Sequence, residues 1–173
     1  MRKYFLIALA SLSLVSCEEE LSTNTPAFEA QNGYTYWRAT DMKAEVENGN
    51  LVVVGITDSE NFTIYIDNYE FGKEYVLGED TNCTVIYTKV IDEVTYKYKA
   101  NSTIGSGFVK LDVAEKQLDQ TISGTFLVDL KPDGNSIPGV SNMYFHKGVF
   151  YQIPLSTINS QPETPEVPVE PKP

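Results

Sequence analysis

The stretch Asn61–Asn68, NFTIYIDN, decides the fold class of this chain. Its apolar side chains recur at every second position, so that Phe62, Ile64 and Ile66 share one face. A period of two is that of an extended strand with one buried face, because successive side chains of a strand point to opposite sides. The stretch therefore predicts a half-buried β-strand.

The same alternation appears in Val94–Ala100 and in Thr121–Leu130. Turn-forming residues separate the strand-like runs, and several of them are Asn-Gly or Asp-Gly pairs, which favour tight hairpins. The predicted turns are Asn32-Gly33, Asn48-Gly49-Asn50, Phe71-Gly72-Lys73, Gly78-Glu79-Asp80, Asp133-Gly134-Asn135 and Lys147-Gly148. About ten strands at this spacing predict an all-β fold, as a single antiparallel β-sandwich or barrel-like domain.

Composition divides the chain into four parts. Residues 1–16 are an apolar leader with a basic start, 17–26 an acidic and polar segment, 27–157 the predicted all-β domain, and 158–173 a predicted Pro-rich disordered tail. The tail contains QPETPEVPVEPKP, which has too few apolar residues to form a core and favours a stiff, solvated, polyproline-like chain. The all-β segment is long enough to bury about two thirds of its unfolded surface as one domain.

The N-terminal segment has the features of a bacterial lipoprotein signal. Arg2 and Lys3 precede the apolar run Tyr4–Val15, which is shorter than the ~20 residues that cross a bilayer. Leu14-Val15-Ser16-Cys17 resembles the lipobox of bacterial lipoproteins. The resemblance implies that residues 1–16 are a lipoprotein signal peptide, cleaved before Cys17. It also implies a diacylglyceryl group on the Cys17 thiol, which makes residues 17–26 a lipidated acidic tether that attaches the protein to a membrane. A plain signal peptide with an incidental cysteine is the alternative.

Three carboxylates, Glu18, Glu19 and Glu20, follow this cysteine. They resemble the export signal of Bacteroidota surface lipoproteins, and the resemblance implies an outer-membrane lipoprotein exposed at the cell surface. The alternative is a solvated acidic leader without an export role, which leaves retention on the inner leaflet open.

Net charge narrows the classes of partner that the protein can bind. The chain has 13 Lys+Arg against 24 Asp+Glu, a formal net charge of -11, which repels phosphate backbones and argues against nucleic acid as a partner.

Apart from Cys17, the sequence has one cysteine, Cys83, so an internal disulfide is not expected in the mature domain. We predict Cys83 to be a small buried hydrophobic residue.

Residue types give no catalytic or metal-binding motif. His146 is the only histidine, which excludes a histidine-based metal cluster, and we predict a structural role for it. The sequence has no nucleophile elbow, phosphate-binding loop or HExxH motif. Carboxylates are plentiful, but no pair is marked out by its spacing. We therefore predict a protein that is not an enzyme and has no metal or cofactor.

Several short motifs follow one another along the predicted domain. They have the forms F-x-A-x-x-G, an apolar strand, G-x-v-x-i, i-s-G-t-F and G-x-F-x-x-i, and they lie at Phe28–Gly33, Leu51–Ile56, Gly107–Leu111, Ile122–Phe126 and Gly148–Ile153. Their order resembles that of an uncharacterised, Flavobacteriia-type family of Bacteroidota surface lipoproteins of unknown function. The resemblance implies an all-β lipoprotein and supplies no catalytic residues.

Aromatic residues give the remaining hint about function. They make up 12% of the chain, and the segment YTYWR places Tyr34 and Tyr36 on the face opposite Trp37. Exposed aromatic rings can stack on sugar rings, so Tyr34, Tyr36 and Trp37 are the candidate ligand-stacking residues. The alternative is structural, because Tyr favours strands and Trp37 can fill the core.

Two functional hypotheses follow. The first is a lipid-anchored, non-catalytic binding module for glycan or another envelope component. The second is a structural or accessory protein-interaction lipoprotein of a surface complex, which docks a partner through an exposed sheet edge or an acidic face. Exposed aromatic residues in a concave surface would favour the first, and an unpaired edge strand would favour the second.

Overall fold

The computed structural model describes residues 26–114 and 120–158, and the predicted signal peptide lies outside this part. The described residues form eleven β-strands, which confirms the all-β prediction. They are β1 (Ala27–Asn32), β2 (Thr35–Arg38), β3 (Asp41–Glu47), β4 (Asn50–Ile56), β5 (Glu60–Ile66), β6 (Glu74–Leu77), β7 (Cys83–Ile91), β8 (Val94–Ala100), β9 (Ser106–Leu111), β10 (Thr121–Pro132) and β11 (Met143–Ile158).

The strands are hydrogen-bonded in the order β2-β1-β11-β3-β4-β5-β7-β8-β10-β9-β6, with a further pairing between β10 and β11. Each of these two long strands contacts two groups of neighbours. The last residues of β10 pair with β8, and the last residues of β11 pair with β3. A ring of strands therefore runs from β11 through β3, β4, β5, β7, β8 and β10 back to β11, which is the barrel-like form of the prediction.

One pairing in this ring is parallel. Leu155–Ile158 at the end of β11 run alongside Ala44–Glu47 of β3. Parallel neighbours need a long connection, and here most of the domain lies between the two strands. The sheet is therefore mixed, whereas the sequence predicted antiparallel pairing throughout.

A cluster of aromatic side chains fills the interior. Phe62 lies at its centre, with ring centroids 5.4 Å from Phe28, 5.5 Å from Trp37, 5.0 Å from Phe126 and 5.1 Å from Phe145. The pairs are edge-to-face or tilted, as the ring quadrupoles favour. The apolar face predicted from NFTIYIDN is thus the face that packs into the core.

β11 departs from regular alternation at two β-bulges. Lys147 and Gln152 have φ angles of 51° and 49°, and the register with β10 shifts beside each of them. Each bulge inserts one residue, so the strand continues past Lys147-Gly148 and the predicted turn at this position is wrong.

Two hairpin turns show what the sequence revealed and what it did not. Asn48 and Gly49, with φ angles of 51° and 82°, form the predicted tight turn between β3 and β4. Asp92 and Glu93, at 49° and 66°, form an equivalent turn between β7 and β8. This second turn was not predicted, because glutamate rarely adopts a positive φ.

Candidate functional site

The predicted membrane-anchoring residues lie outside the part of the chain that the structure describes. These are Cys17, predicted to be lipidated, and Glu18, Glu19 and Glu20, predicted as an export signal. Within residues 26–114 and 120–158, no helix is both long enough and apolar enough to cross a bilayer.

The three candidate stacking residues all lie in the β1–β2 hairpin, but they do not share one face of it. Tyr34 is fully exposed in the turn and Tyr36 is 56% exposed, but Trp37 is only 6% exposed. The Trp37 indole packs edge-to-face against Phe28, with ring centroids 5.4 Å apart, and contacts Phe62 as well. A sugar ring therefore cannot reach Trp37, and its assignment as a stacking residue is corrected to a core role.

Polar contacts hold Tyr36 on the outer surface. Its hydroxyl donates a hydrogen bond to the carboxylate of Glu29, and this bond raises the pKa of Tyr36. Glu29 also forms an ion pair with Arg38, whose Nη1 lies 2.9 Å from Oε2. The Tyr36 ring is thus fixed by its neighbours on an open surface of the sheet, rather than inside a groove.

His146 lies on the same surface as Tyr36. Gln31 of β1 is in register with both residues, so the three side chains form a row across β2, β1 and β11. Nε2 of His146 lies 3.2 Å from the carbonyl oxygen of Gly33, and its ring stacks on Tyr144 with centroids 5.5 Å apart. The contact with Gly33 attaches β11 to the β1–β2 turn.

A different concave surface lies at the other end of the sheet. The turn between β3 and β4 meets the segment after β5 there, and a groove of about 230 Å³ opens beside them. We call it the hairpin-end groove, and its lining residues are Glu45, Glu47, Asn48, Asn50, Leu51, Val52, Tyr65 and Asp67.

Strand register explains how its outer wall forms. Glu45, Val52 and Tyr65 lie opposite one another on β3, β4 and β5, and therefore point to the same side. The Tyr65 ring is 41% exposed. Lys43 holds the carboxylate of Glu45 in place, with Nζ 2.9 Å from Oε1. The wall thus presents a carboxylate, an aliphatic side chain and an aromatic ring in one row.

Backbone contacts hold the segment after β5 beside the turn between β3 and β4. The Asn68 amide donates to Oδ1 of Asn50 at 3.1 Å, and the Tyr69 amide donates to the Gly49 carbonyl at 3.2 Å. An open depression adjoins the groove here, lined by Gly49, Asn68, Tyr69, Glu70 and Phe71. Its two aromatic rings pack edge-to-face, with centroids 5.5 Å apart. The end of the sheet therefore carries several accessible aromatic and polar groups.

Sequence patterns predicted parts of this groove but did not indicate that they form one site. They predicted the Asn48-Gly49-Asn50 turn and placed Tyr65 on the polar face of its strand. Asp67 and Tyr69 follow at the end of the same strand, but their distance from the turn depends on how β4 pairs with β5. No local pattern reports that distance.

The titratable groups with shifted pKa values lie elsewhere. Burial raises the pKa of the Cys83 thiol to about 12, which agrees with the predicted buried cysteine. Burial also acts to raise the pKa of Asp129, but hydrogen bonds from Lys131 and Asn142 outweigh it and the pKa is lowered. A hydrogen bond from Lys97 lowers the pKa of Asp133. The described residues contain no group of three or more His, Cys, Asp or Glu placed to hold a metal ion.

Comparison with protein families finds a match. The model of a family described as "Domain of unknown function (DUF6252)" matches residues 24–154. No curated protein and no solved structure matches the chain.

Proposed function

The chain belongs to the DUF6252 family of domains of unknown function, which leaves its activity open, and we propose that it is a non-catalytic carbohydrate-binding protein of the cell envelope. The ligand binds in the hairpin-end groove, and the protein is held at the membrane by a lipid on Cys17. The observation that carries the proposal is the composition of the groove, which combines the exposed Tyr65 ring with carboxylate and amide side chains.

This combination suits a sugar for a physical reason. A pyranose ring has an apolar C–H face that packs on an aromatic ring, and a rim of hydroxyl groups that need hydrogen-bond partners. Tyr65 offers the ring face, while Glu45, Asp67 and Asn48 offer acceptors and an amide donor around it. The groove lining contains three carboxylates and no basic side chain, so neutral glycans bind better than sulfated or phosphorylated ones.

The sequence before residue 26 supports the envelope location. The run Leu14-Val15-Ser16-Cys17 resembles a lipobox, and Glu18, Glu19 and Glu20 resemble a surface-export signal of Bacteroidota lipoproteins. β1 begins at Ala27 and runs antiparallel to β11, so the tether enters the domain toward the end where β11 finishes and the groove lies. A tether of about ten residues reaches ~30 Å when extended, which leaves room for a glycan between the groove and the membrane.

A glycan array tests the proposal. The mature protein is applied to an array of neutral and anionic oligosaccharides, and hits are measured by isothermal titration calorimetry. We expect Tyr65→Ala to weaken binding about threefold to tenfold, the loss of one stacked ring. Tyr151→Ala is the matched control, because Tyr151 is 38% exposed, close to the 41% of Tyr65, but lies outside the groove.

Two results would contradict the proposal. An array without any hit would contradict carbohydrate binding. Binding that is lost in Tyr36→Ala but kept in Tyr65→Ala moves the site to the β1–β2 hairpin and removes the groove assignment.

A second candidate function is an accessory subunit that docks a partner protein. The observation in its favour is the position of β2 at the end of the strand order, where no other strand among the described residues pairs with its outer edge.

A further inference from the structure

The hydrogen bonds of the β1–β2 hairpin alternate in a way that fixes the direction of each backbone group. Asn32 and Thr35 close a two-residue turn and are opposite each other. Farther along, the amide of Ala39 donates to the carbonyl of Phe28 at 2.9 Å. Antiparallel strands alternate between hydrogen-bonded and non-bonded pairs, so Tyr36 and Arg38 belong to the non-bonded pairs. Their N–H and C=O groups point away from β1.

These groups lie along the open side of the sheet. β2 is the last strand in the order, and among the described residues no strand pairs with its outer edge. Thr35, Tyr36 and Arg38 are all exposed. The edge therefore offers two donors and two acceptors, spaced two residues apart, which is the pattern that an added strand would engage.

The edge strand at the other end of the order is protected at one of its two outward-facing residues. By the same alternation, Val76 of β6 points its backbone outward. Its N–H donates to Oδ2 of Asp80 at 2.6 Å, and its C=O accepts from the amide of Asp80 at 2.9 Å. The turn after β6 thus folds back and satisfies the outward groups of this residue. Blocking of this kind prevents unwanted strand pairing, and β2 lacks it within the described chain.

The surroundings of β2 also suit a polypeptide partner. The Gly33-Tyr34 turn lies near the start of β11, at the end of the sheet away from the groove. His146 and Lys147 of β11 lie near this turn. The Arg38 side chain is 47% exposed, although its Nη1 atom is already paired with Glu29, so part of the guanidinium remains accessible to a partner. A strand added beside β2 would place one side chain next to the Tyr36 ring and another next to Arg38.

We propose that the outer edge of β2 binds an extended segment of a partner protein, which adds to the sheet as a further strand. The segment carries an aromatic or β-branched residue facing Tyr36 and an acidic residue facing Arg38, because such cross-strand pairs stabilise a sheet. The inference gives a site and a partner chemistry to the second candidate function. It rests on that candidate and is independent of the carbohydrate groove.

A random-peptide display library, selected on the intact domain, supplies the probe. We expect the selected peptides to be extended and to slow hydrogen exchange at the amides of Tyr36 and Arg38. Tyr36→Pro and Arg38→Pro each remove one outward N–H without removing a bond to β1, and each should weaken peptide binding at least about tenfold.

Matched variants distinguish the contribution of the backbone N–H groups to peptide binding from that of the side chains. Tyr36→Ala and Arg38→Ala keep the outward N–H and should retain most of the binding. Glu74→Pro is the control for a proline on the other edge strand, since Glu74 is exposed and precedes Tyr75 in β6. It should leave binding unchanged.

Several outcomes would overturn the inference. One is a selection in which no peptide is enriched on the wild-type domain relative to the Tyr36→Pro domain. Another is a set of peptides whose affinity does not fall in either proline variant. A third is protection from hydrogen exchange at amides other than those of β2. Tyr65→Ala should leave peptide binding intact, so a failure here is distinct from a failure of the carbohydrate proposal.

Discussion

The ring of Phe126 lies over the Cα atom of Gly148, so that a Cβ atom at that position would come within 2.5 Å of three ring carbons. The two residues are directly opposite each other on β10 and β11. The neighbouring pair has the reverse arrangement, in which Gly124 of β10 leaves room for the ring of Phe150 on β11. Each strand therefore supplies one glycine and one phenylalanine to a reciprocal fit.

This fit predicts a cost for adding a single methyl group. Gly148→Ala should lower the free energy of unfolding by about 1–3 kcal/mol, because the core is closely packed and Phe126 must move to a strained position. Thermal and urea unfolding measure the change. Gly139→Asn is the control, since a Cβ there meets nothing within 4 Å and Asn tolerates its φ of 78°.

A double variant shows whether the ring itself is the cause. Phe126→Leu removes the ring carbons that the new methyl group would meet. Gly148→Ala should therefore be less destabilising in the Phe126→Leu background than in the wild type. Equal destabilisation in both backgrounds would contradict the fit.

The same residues show what the sequence could predict. The motifs at Ile122–Phe126 and Gly148–Ile153 were visible, but the reason for their glycines required knowing which residues face each other. In β10 the five residues from Ile122 to Leu130 that alternation placed on one face are all buried, as predicted, and Ser123 is buried in addition. In β11 the two bulges reverse the alternation, and no residue type at Lys147 or Gln152 announces them.

Contacts between separate turns also limited prediction of the site. Alternation placed Trp37 opposite Tyr34 and Tyr36, which agrees with its position in the core. The hairpin-end groove depends on contacts between Asn50 and Asn68, and these residues meet only after β4 and β5 pair. The sequence thus predicted the faces of strands better than the surfaces formed between turns.

The turn between β7 and β8 offers a stabilising substitution. Glu93 has a φ of 66°, which costs a side-chain-bearing residue about 1–2 kcal/mol and costs glycine little. Glu93→Gly should therefore raise the free energy of unfolding by about 1 kcal/mol, measured as a higher melting temperature. Gly49→Glu, at the corresponding position of the β3–β4 turn, should lower it. A melting temperature that falls in Glu93→Gly would show that the turn is not strained.

Asp129 should make stability depend on pH in the acid range. Its hydrogen bonds to Lys131 and Asn142 hold its pKa below the ordinary value of 3.8. A carboxyl with a lowered pKa stabilises the folded state above its unfolded pKa, and this contribution is lost as the pH falls through the folded pKa. Asp129→Asn should cost about 1 kcal/mol at neutral pH and progressively less below pH 3.8.

Urea unfolding at several pH values measures this difference. Asp58→Asn, at an exposed position in the turn between β4 and β5, is the control and should change stability little at any pH. A difference between Asp129→Asn and the wild type that stays constant down to the lowest pH would contradict a titrating role.

The lipid anchor can be tested with the two cysteines of the chain. Cys17→Ala should abolish incorporation of radioactive palmitate in cells, because the thiol that carries the diacylglyceryl group is removed. Cys83→Ala is a matched control and should still be labelled, since Cys83 is buried in the domain and its thiol pKa is raised to about 12. Labelling that persists in Cys17→Ala would refute lipidation at this residue.

The acidic run after the anchor makes a separate prediction about location. If Glu18, Glu19 and Glu20 direct export, protease added to intact cells should remove the wild-type domain but spare a variant with alanine at all three positions. Palmitate labelling of that variant should remain, because Cys17 is unchanged. Protection of the wild type in intact cells, with digestion after lysis, would place the domain on the periplasmic side. Equal digestion of both proteins in intact cells would show that the three carboxylates are a solvated leader without a role in export.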